Sequence, residues 1–286
     1  FLVAKKSFGK SYKQLEEIKQ ATKEVSNGNL DMKIWENSKD EIGEIIDVFN
    51  QMSTALKMNQ KRVKEFFEDI SHEIKTPLIY IKTYNQALLD GMIQDPHEQD
   101  KTYQLIDRET NRLQNLIQTS LDFTKLEANA VELDKQPIAL AQAIEEMMVK
   151  YEPIFLKQQI QFEMNLDYDV IIEGDEERLE QIIQNIIQNA IRYSKENPRI
   201  EMKLEKQGDK CILSISDNGV GISEEHLAVI TNRFVRVKKV RSRKESGTGI
   251  GLSIVEKLMI LHGGEMNIES ELGVGTTFKL IFPCIN

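Results

Sequence analysis

The stretch "ERLEQIIQNIIQNAIRYS", Glu177–Ser194, decides how the second half of this chain is read. Gln181, Asn185, Asn189, Arg192 and Tyr193 recur at three- and four-residue spacing, so they form one polar stripe on an otherwise apolar helix, expected over Glu176–Tyr193. Around it, "RIEMKLEK" (Arg199–Lys206), "KCILSISD" (Lys210–Asp217) and "TTFKLIFP" (Thr276–Pro283) alternate apolar and polar residues in the manner of strands. Another helix is expected over Ile250–His262. Strands and helices mixed over about 150 residues, from about residue 135 onward, predict an independent α/β domain whose antiparallel or mixed sheet is covered by helices on one face.

Two glycine clusters flank that frame. "DNGVGI" (Asp217–Ile222) follows a strand directly; its glycines let backbone approach a ligand, and Asp217 can accept a hydrogen bond from an amino group. "SGTGIGLSI" (Ser246–Ile254) sets Gly247, Gly249 and Gly251 just ahead of an apolar helix, where free backbone amides make a phosphate cradle. Each cluster taken alone also fits a tight turn. Neither G-x-x-x-x-G-K-[ST] nor G-x-G-x-x-G occurs, which removes the usual P-loop and dinucleotide readings. The amide stripe adds oxygen ligands for a Mg2+ ion that keeps phosphates and waters as its other ligands. Arg192 can reach a phosphate and Tyr193 can lie against a base. A solvated helix face explains the polarity of the stripe equally well, but not its pairing with two glycine loops.

Upstream the texture is helical. Leu15, Ile18, Thr22 and Val25 keep a three-four spacing until "SNGNLD" breaks it, and Ile42, Ile45, Phe49, Met52 and Leu56 resume a coiled-coil seam that continues through Val63 and Ile70. So narrow a seam cannot bury itself within one chain and implies a parallel dimer or bundle. Pro77 predicts a kink. "DGMIQDPHEQD" (Asp90–Asp100) reads as a loop, and Lys101–Ala128 as one long helix. Two long helices joined by a loop make an antiparallel hairpin, and two such hairpins a four-helix bundle.

Within the seam, "ISHEIKTPL" (Ile70–Leu78) places His72 beside Glu73. A zinc protease motif would need a second histidine where Thr76 stands, so the metal reading fails at that ligand. The 286 residues allow two domains, or three small ones, and a net charge of −9 argues against general nucleic-acid binding. The two cysteines, Cys211 and Cys284, each sit in an apolar run and read as buried small residues. The opening "FLVAKKS" is too short to span a bilayer; it fits either the cytoplasmic end of a membrane helix or a mere chain boundary.

Together the amide helix and the two glycine clusters resemble the N, G1 and G2 boxes of sensor histidine kinases, within the wider group that includes gyrase, Hsp90 and MutL. "TNRFVRV" (Thr231–Val237) resembles the F box and "GVGTTF" (Gly273–Phe278) the closing glycine motif. "FFEDISHEIKTPL" is similar to the H box of the dimerisation and phosphotransfer domain, and "SNGNLDMKI" with "DEIGEIIDVFNQM" to a HAMP linker. The resemblance implies a multidomain α and α+β protein: a parallel HAMP coiled coil over residues 1–56, a dimeric four-helix bundle of hairpins over 57–131, and an α/β-sandwich ATP-binding domain of the Bergerat type over 132–286.

It also implies roles. His72 would accept the phosphoryl group, Glu73 would orient or deprotonate its imidazole, and Thr76 would position water for the reverse, phosphatase reaction on the partner. Asn189 with Asn185 would hold Mg2+. Asp217 would recognise the adenine amino group, with Thr276 near, and Tyr193 would stack on the ring. Arg192, Gly219, Gly221, Ile222, Phe234, Arg236, Gly247, Thr248, Gly249, Gly251 and Leu252 would complete the ATP site. The basic run holding Arg233, Arg236, Lys238, Lys239, Arg241, Arg243 and Lys244 would form its lid, some of these cations meeting nucleotide phosphates and the later ones reading as a solvated basic loop. The F box departs from the family in Thr231 and Val235, where aromatics are common, and no proline opens the first HAMP helix near Ser11. The implied partners are a second copy of the chain and a response regulator, with Lys82, Asn85 and Gln86 as candidate docking residues. The implied location is the cytoplasmic face of a membrane, reached through a helix upstream of Phe1. ATPase relatives place a glutamate where Asn185 stands, so transfer to a histidine fits better than free hydrolysis. The alternative is an ATP-gated clamp like Hsp90 or MutL.

Overall fold

Where the chain turns, its local chemistry explains the turn. Helix α1 (Leu2–Ser26) ends at Asn27, whose amide bonds to Lys23 O at 3.1 Å, and Gly28 follows with φ of +94°. An extended connector then runs back along helix α2 (Glu41–Leu89). Asn50 clamps it by accepting from Ile34 N and donating to Ile34 O, both at 3.0 Å. Ser53 donates to Leu30 O at 3.2 Å, and Lys57 pairs with Asp31. Ala21, Ile34, Ile46 and Phe49 form the core here, edged by Ile18, Val25, Met32 and Ile42. On α2 this core buries Ile46 and the seam residue Phe49, while the seam residue Ile45 stays half exposed.

The computed structural model describes residues 2–35, 40–127, 131–231 and 249–285, with side chains from residue 12 onward. Residues 1–72 and 73–286 are separate units, and the division falls inside α2. That helix continues through Pro77 without interruption. The turn after it is shorter than "DGMIQDPHEQD" suggests. Helix α3 (Pro96–Glu127) starts at the proline, whose missing N–H costs nothing at a first helical position, and Asp95 caps it by accepting from His97 N at 3.0 Å. Glu73 and Arg112 lie equally far from this turn and meet across it, which makes residues 73–112 an antiparallel hairpin.

The rest of the second unit is an α/β sandwich. Strand β1 (Gln136–Ala139) pairs with β3 (Ile171–Gly174). The main sheet has the order β2-β4-β5-β7-β6, made of β2 (Gln161–Leu166), β4 (Arg199–Gln207), β5 (Lys210–Asp217), β7 (Gly275–Pro283) and β6 (Glu265–Glu271). It is mixed: β2 runs parallel to β4, and the other pairs are antiparallel. Ile200, Met202, Leu204, Leu213, Ile215, Phe278 and Leu280 are buried on one face, which faces the helices. Those helices are α4 (Leu140–Val149), α5 (Glu152–Gln158), α6 (Glu176–Arg192) and α8 (Gly251–Leu261); the short α7 (Glu224–Leu227) stands near β6. The opposite face is polar and carries ion pairs such as Arg199–Glu163 at 2.8 Å. Lys257 of α8 also pairs with Glu127 at the end of α3, at 3.1 Å.

Candidate functional site

Helix α6 is pinned before its functional face begins. Asp175 caps it by accepting from Arg178 N at 3.1 Å, and Asp175 N donates to Nε2 of buried His262 at 3.1 Å. His262 Nδ1, 2.8 Å from Leu258 O, supplies the other bond, so the ring is the neutral tautomer protonated at Nδ1. Burial lowers its pKa, and the two backbone bonds oppose that. With Leu179, Ile182, Ile183, Ile186, Ile187 and Ala190 packed inward, the polar stripe is left along the helix edge.

That edge meets the second glycine cluster. Asn185 Nδ2 donates to Gln181 O at 2.7 Å, so its amide oxygen turns toward α8, and a Cβ on Gly251 would lie 2.5 Å from that oxygen. Arg192 donates to Asn189 Oδ1 at 3.4 Å. Gly249, with φ of +72°, turns the chain into α8, whose first residues Gly251 and Leu252 are partly exposed. The amide oxygen of Asn185 therefore abuts the first residue of α8, and Asn189 stands one turn further along α6; amide oxygens next to a helix start are a donor set suited to a hydrated cation between phosphates. No cluster of three acidic, histidine or cysteine side chains that would make an all-protein cage occurs among the described residues.

The first glycine cluster closes the other end of α6. Val220 N donates to Tyr193 O at 3.1 Å, and Gly219 N to Asp217 Oδ1 at 2.8 Å. Gly221 has φ of +68°, and a Cβ there would be 2.0 Å from Glu271 O; one on Gly275 would be 1.9 Å from Asp217 O. Both turns therefore need glycine. Asp217 and Thr276 face each other across the β5–β7 ladder. Burial raises the Asp217 pKa to about 6, against the lowering effect of the Gly219 and Thr276 amides and of Lys195. A carboxylate held back from water beside a buried hydroxyl is suited to reading an amino group.

Sequence patterns did not reveal two residues here. Ser270 accepts from Ile222 N, donates to Gly275 O and lies beside Thr276 Oγ1, each at 2.8 Å, so one hydroxyl ties both glycine turns to β6. Lys195 Nζ donates to Gly273 O at 2.5 Å. Tertiary placement brings these residues in, through strand register for Ser270 and the approach of the segment after α6 to the β6–β7 turn for Lys195, so no spacing rule would have found them. A cleft of about 540 Å³ shares Asp217 and Thr276 but is otherwise lined by Arg199, Glu201, Ser216 and Glu269; it opens on the polar sheet face, away from the α6 stripe. Phe234, Arg236, Gly247 and Thr248 lie outside the described residues, as do the lid cations.

The remaining candidates are on α2. His72 and Thr76 are exposed one turn apart, and Pro77 beside them is buried. Glu73 turns to α3, where Arg112 Nη2 donates to its Oε2 at 3.3 Å. Lys82, Asn85 and Gln86 are exposed further along.

An α/β sandwich with an amide-striped helix beside glycine turns, following a helical hairpin with an exposed histidine, defines a class of protein, and comparison with known proteins narrows it. The family described as histidine kinase-, DNA gyrase B-, and HSP90-like ATPase matches residues 174–286. The His Kinase A (phospho-acceptor) domain matches residues 62–129, and the HAMP domain residues 13–58. Sensor protein SrrB of Staphylococcus aureus is 29% identical over 243 residues, 84% of this chain and 41% of that protein. The chain belongs to the sensor histidine kinases, and it spans 41% of the length of the curated relatives it matches. The histidine kinase ThkA, solved in complex with response regulator protein TrrA, superposes with a TM-score of 0.67 at 25% identity, over 80% of this chain and 64% of that one. Histidine kinase AdeS of Acinetobacter baumannii shares the fold, with a TM-score of 0.62 at 20% identity over 75% of this chain and 98% of that one. Among the described residues, no helix is long and apolar enough to cross a membrane.

Proposed function

We propose that this chain transfers the terminal phosphoryl group of ATP to His72 and passes it on to an aspartate of a response regulator, with the reverse, phosphatase reaction at the same segment. The observation that carries this reading is the combination of an exposed His72, with Glu73 next to it, and an α6 edge stripe whose partly exposed side chains Gln181, Asn185 and Asn189 are amides rather than acids. A histidine offers the nucleophile; an amide cannot deprotonate a hydrolytic water as a carboxylate does.

Asp217 accepts from the adenine amino group beside Thr276, Tyr193 stacks on the ring, and the amides of Gly249 and Gly251 receive phosphate oxygens. Asn189 and Asn185 are the residues that hold Mg2+, which when bound offsets the phosphate charge that would repel a nucleophile. A neutral imidazole attacks with one nitrogen. The N–P bond forms as the bond from the γ-phosphorus to the bridging oxygen breaks, and ADP leaves with that electron pair. The proton on the other nitrogen passes to Glu73. Thr76 orients water for removing the phosphoryl group from the regulator, which docks near Lys82, Asn85 and Gln86. Residues 1–56 relay the signal, 57–131 dimerise and carry His72, and 132–286 bind ATP; a helix upstream of Phe1 anchors the full protein in a membrane with these parts on the cytoplasmic side.

Incubating the chain with Mg2+ and γ-labelled ATP tests the proposal. The expected product is an acid-labile, alkali-stable label that His72→Gln abolishes and Asn189→Ala strongly reduces. Equal labelling of the His72→Gln variant would sink the assignment. Steady ATP hydrolysis with no labelled protein would instead favour a conformational clamp.

A further inference from the structure

A buried charge network on α3 stands next to the phosphoacceptor segment and is not used by the roles above. Glu109 is only 7% exposed, and its Oε2 has no hydrogen-bond partner. Its counter-charges are Arg108, 3.4 Å from Oε1, and Arg112, whose Nη1 is 3.7 Å from Oε2. The other terminal nitrogen of Arg112 is the one that donates to Glu73 at 3.3 Å. One guanidinium thus serves two carboxylates, and the planar fork of arginine allows this where a lysine's single charge would not.

A buried carboxylate stripped of its partner is strongly destabilising, so Glu109 holds Arg112 in place. Apolar residues at both positions would pack a hairpin at least as well, which leaves stability a poor reason for the network. Its position offers a better one. Successive helical side chains diverge by about 100°, so the carboxylate of Glu73 does not by default point where His72 points. Whatever fixes the direction of Glu73 controls how it serves the imidazole beside it in sequence.

We infer that Arg112 is a positioning residue for phosphorylation: anchored by buried Glu109, it sets the orientation and charge surroundings of Glu73. The inference rests on the reading of His72 as phosphoacceptor and Glu73 as the acceptor of its proton.

The test compares labelling kinetics of the whole chain, across ATP concentrations, for the parent, Arg112→Gln, Arg112→Lys, Glu73→Gln and the Arg112→Gln/Glu73→Gln pair. Arg112→Gln should lower kcat on the order of tenfold to a hundredfold, as misplacement of a catalytic group does, and leave KM for ATP within about twofold. Arg112→Lys should restore part of the rate, and Arg112→Gln should cost nothing further in the Glu73→Gln background. Because Arg112→Gln strands the Glu109 charge, a Glu109→Gln/Arg112→Gln variant removes both together and should show the same loss of kcat. An unchanged kcat in that variant, or an equal loss with and without Glu73, overturns the inference and leaves the proposed function standing. A parent that never labels His72 overturns both.

Discussion

Helices α6 and α2 are both amphipathic, and the chain completes only one of them. On α6, Leu179, Ile182, Ile183, Ile186, Ile187 and Ala190 are no more than 2% exposed, because sheet and neighbouring helices cover them. On α2, Ile46 and Phe49 are buried, while Ile45, Met52, Leu56 and Val63 of the seam stay 43–50% exposed. A helix laid on a sheet finds its apolar partner in its own chain. A two-residue-per-heptad seam finds one only in another helix. The α/β domain is therefore expected to bind nucleotide as a finished object, and the seam to depend on association with a second copy.

The sharpest way to break this contrast is at the glycine turns. Gly221→Ala puts a Cβ against the Glu271 carbonyl and should cost more than about 3 kcal/mol or abolish ADP binding, since the clash is with backbone that cannot yield. Urea unfolding and calorimetric ADP titration would check it; a stable, ADP-binding variant would mean the turn is not rigid. Next in size, Ile46→Ala should destabilise the first unit by about 2–5 kcal/mol at any protein concentration. Val63→Ala should instead act mainly through self-association, leaving unfolding at low protein concentration unchanged and weakening the dimer seen by sedimentation at high concentration. Equal concentration dependence for both would erase the distinction between finished and unfinished helices.

Two smaller effects concern pH. Burial lifts the Asp217 pKa to about 6, so the ionised form that accepts from adenine is depleted as pH falls through that value. ADP affinity should fall by about tenfold per unit below it, once protonation dominates. The same shift means that protonated Asp217 favours the empty fold at low pH, and that this contribution is lost as pH rises through about 6. Nucleotide binding and empty-state stability thus have opposite pH trends at one residue, and parallel trends would refute the assignment. His262 behaves in the reverse sense. Its pKa lies below the ordinary 6.5, so its stabilising contribution is full above that value and is lost as pH falls through the depressed one. Urea midpoints should fall on acidification below pH 6.5 by more in the parent than in His262→Gln.

Much of the architecture was legible in the residues. The α6 stripe, the strands around Arg199–Lys206 and Lys210–Asp217, and the glycine turn after β5 appear where periodicity and turn chemistry put them. Helix ends were less so: α3 starts at Pro96 rather than after Asp100, because proline is favourable at a helix start though it reads as a breaker elsewhere. Strands β1 and β3 pair with each other rather than with the main sheet, and four-residue segments carry too little pattern to announce that. The candidate site divides along the same line. Asn185, Asn189 and Asp217 are visible because they interrupt apolar periodicity. Ser270, Lys195, His262 and Arg112 are ordinary polar residues in their local context and acquire meaning only from what faces them.

By itself, then, the sequence determined the long helices and the three alternating strands β4, β5 and β7, and which of their faces turn inward, since these follow from side-chain period within a few residues. Only the tertiary structure decided that Asp217 lies opposite Thr276, that the Asn185 amide abuts Gly251, and that Arg112 bridges Glu73 and a buried Glu109. Apart from the Glu109–Arg112 pair within α3, those contacts join residues from 39 to 66 positions apart on different elements, and no local rule encodes strand register or the facing of two helices.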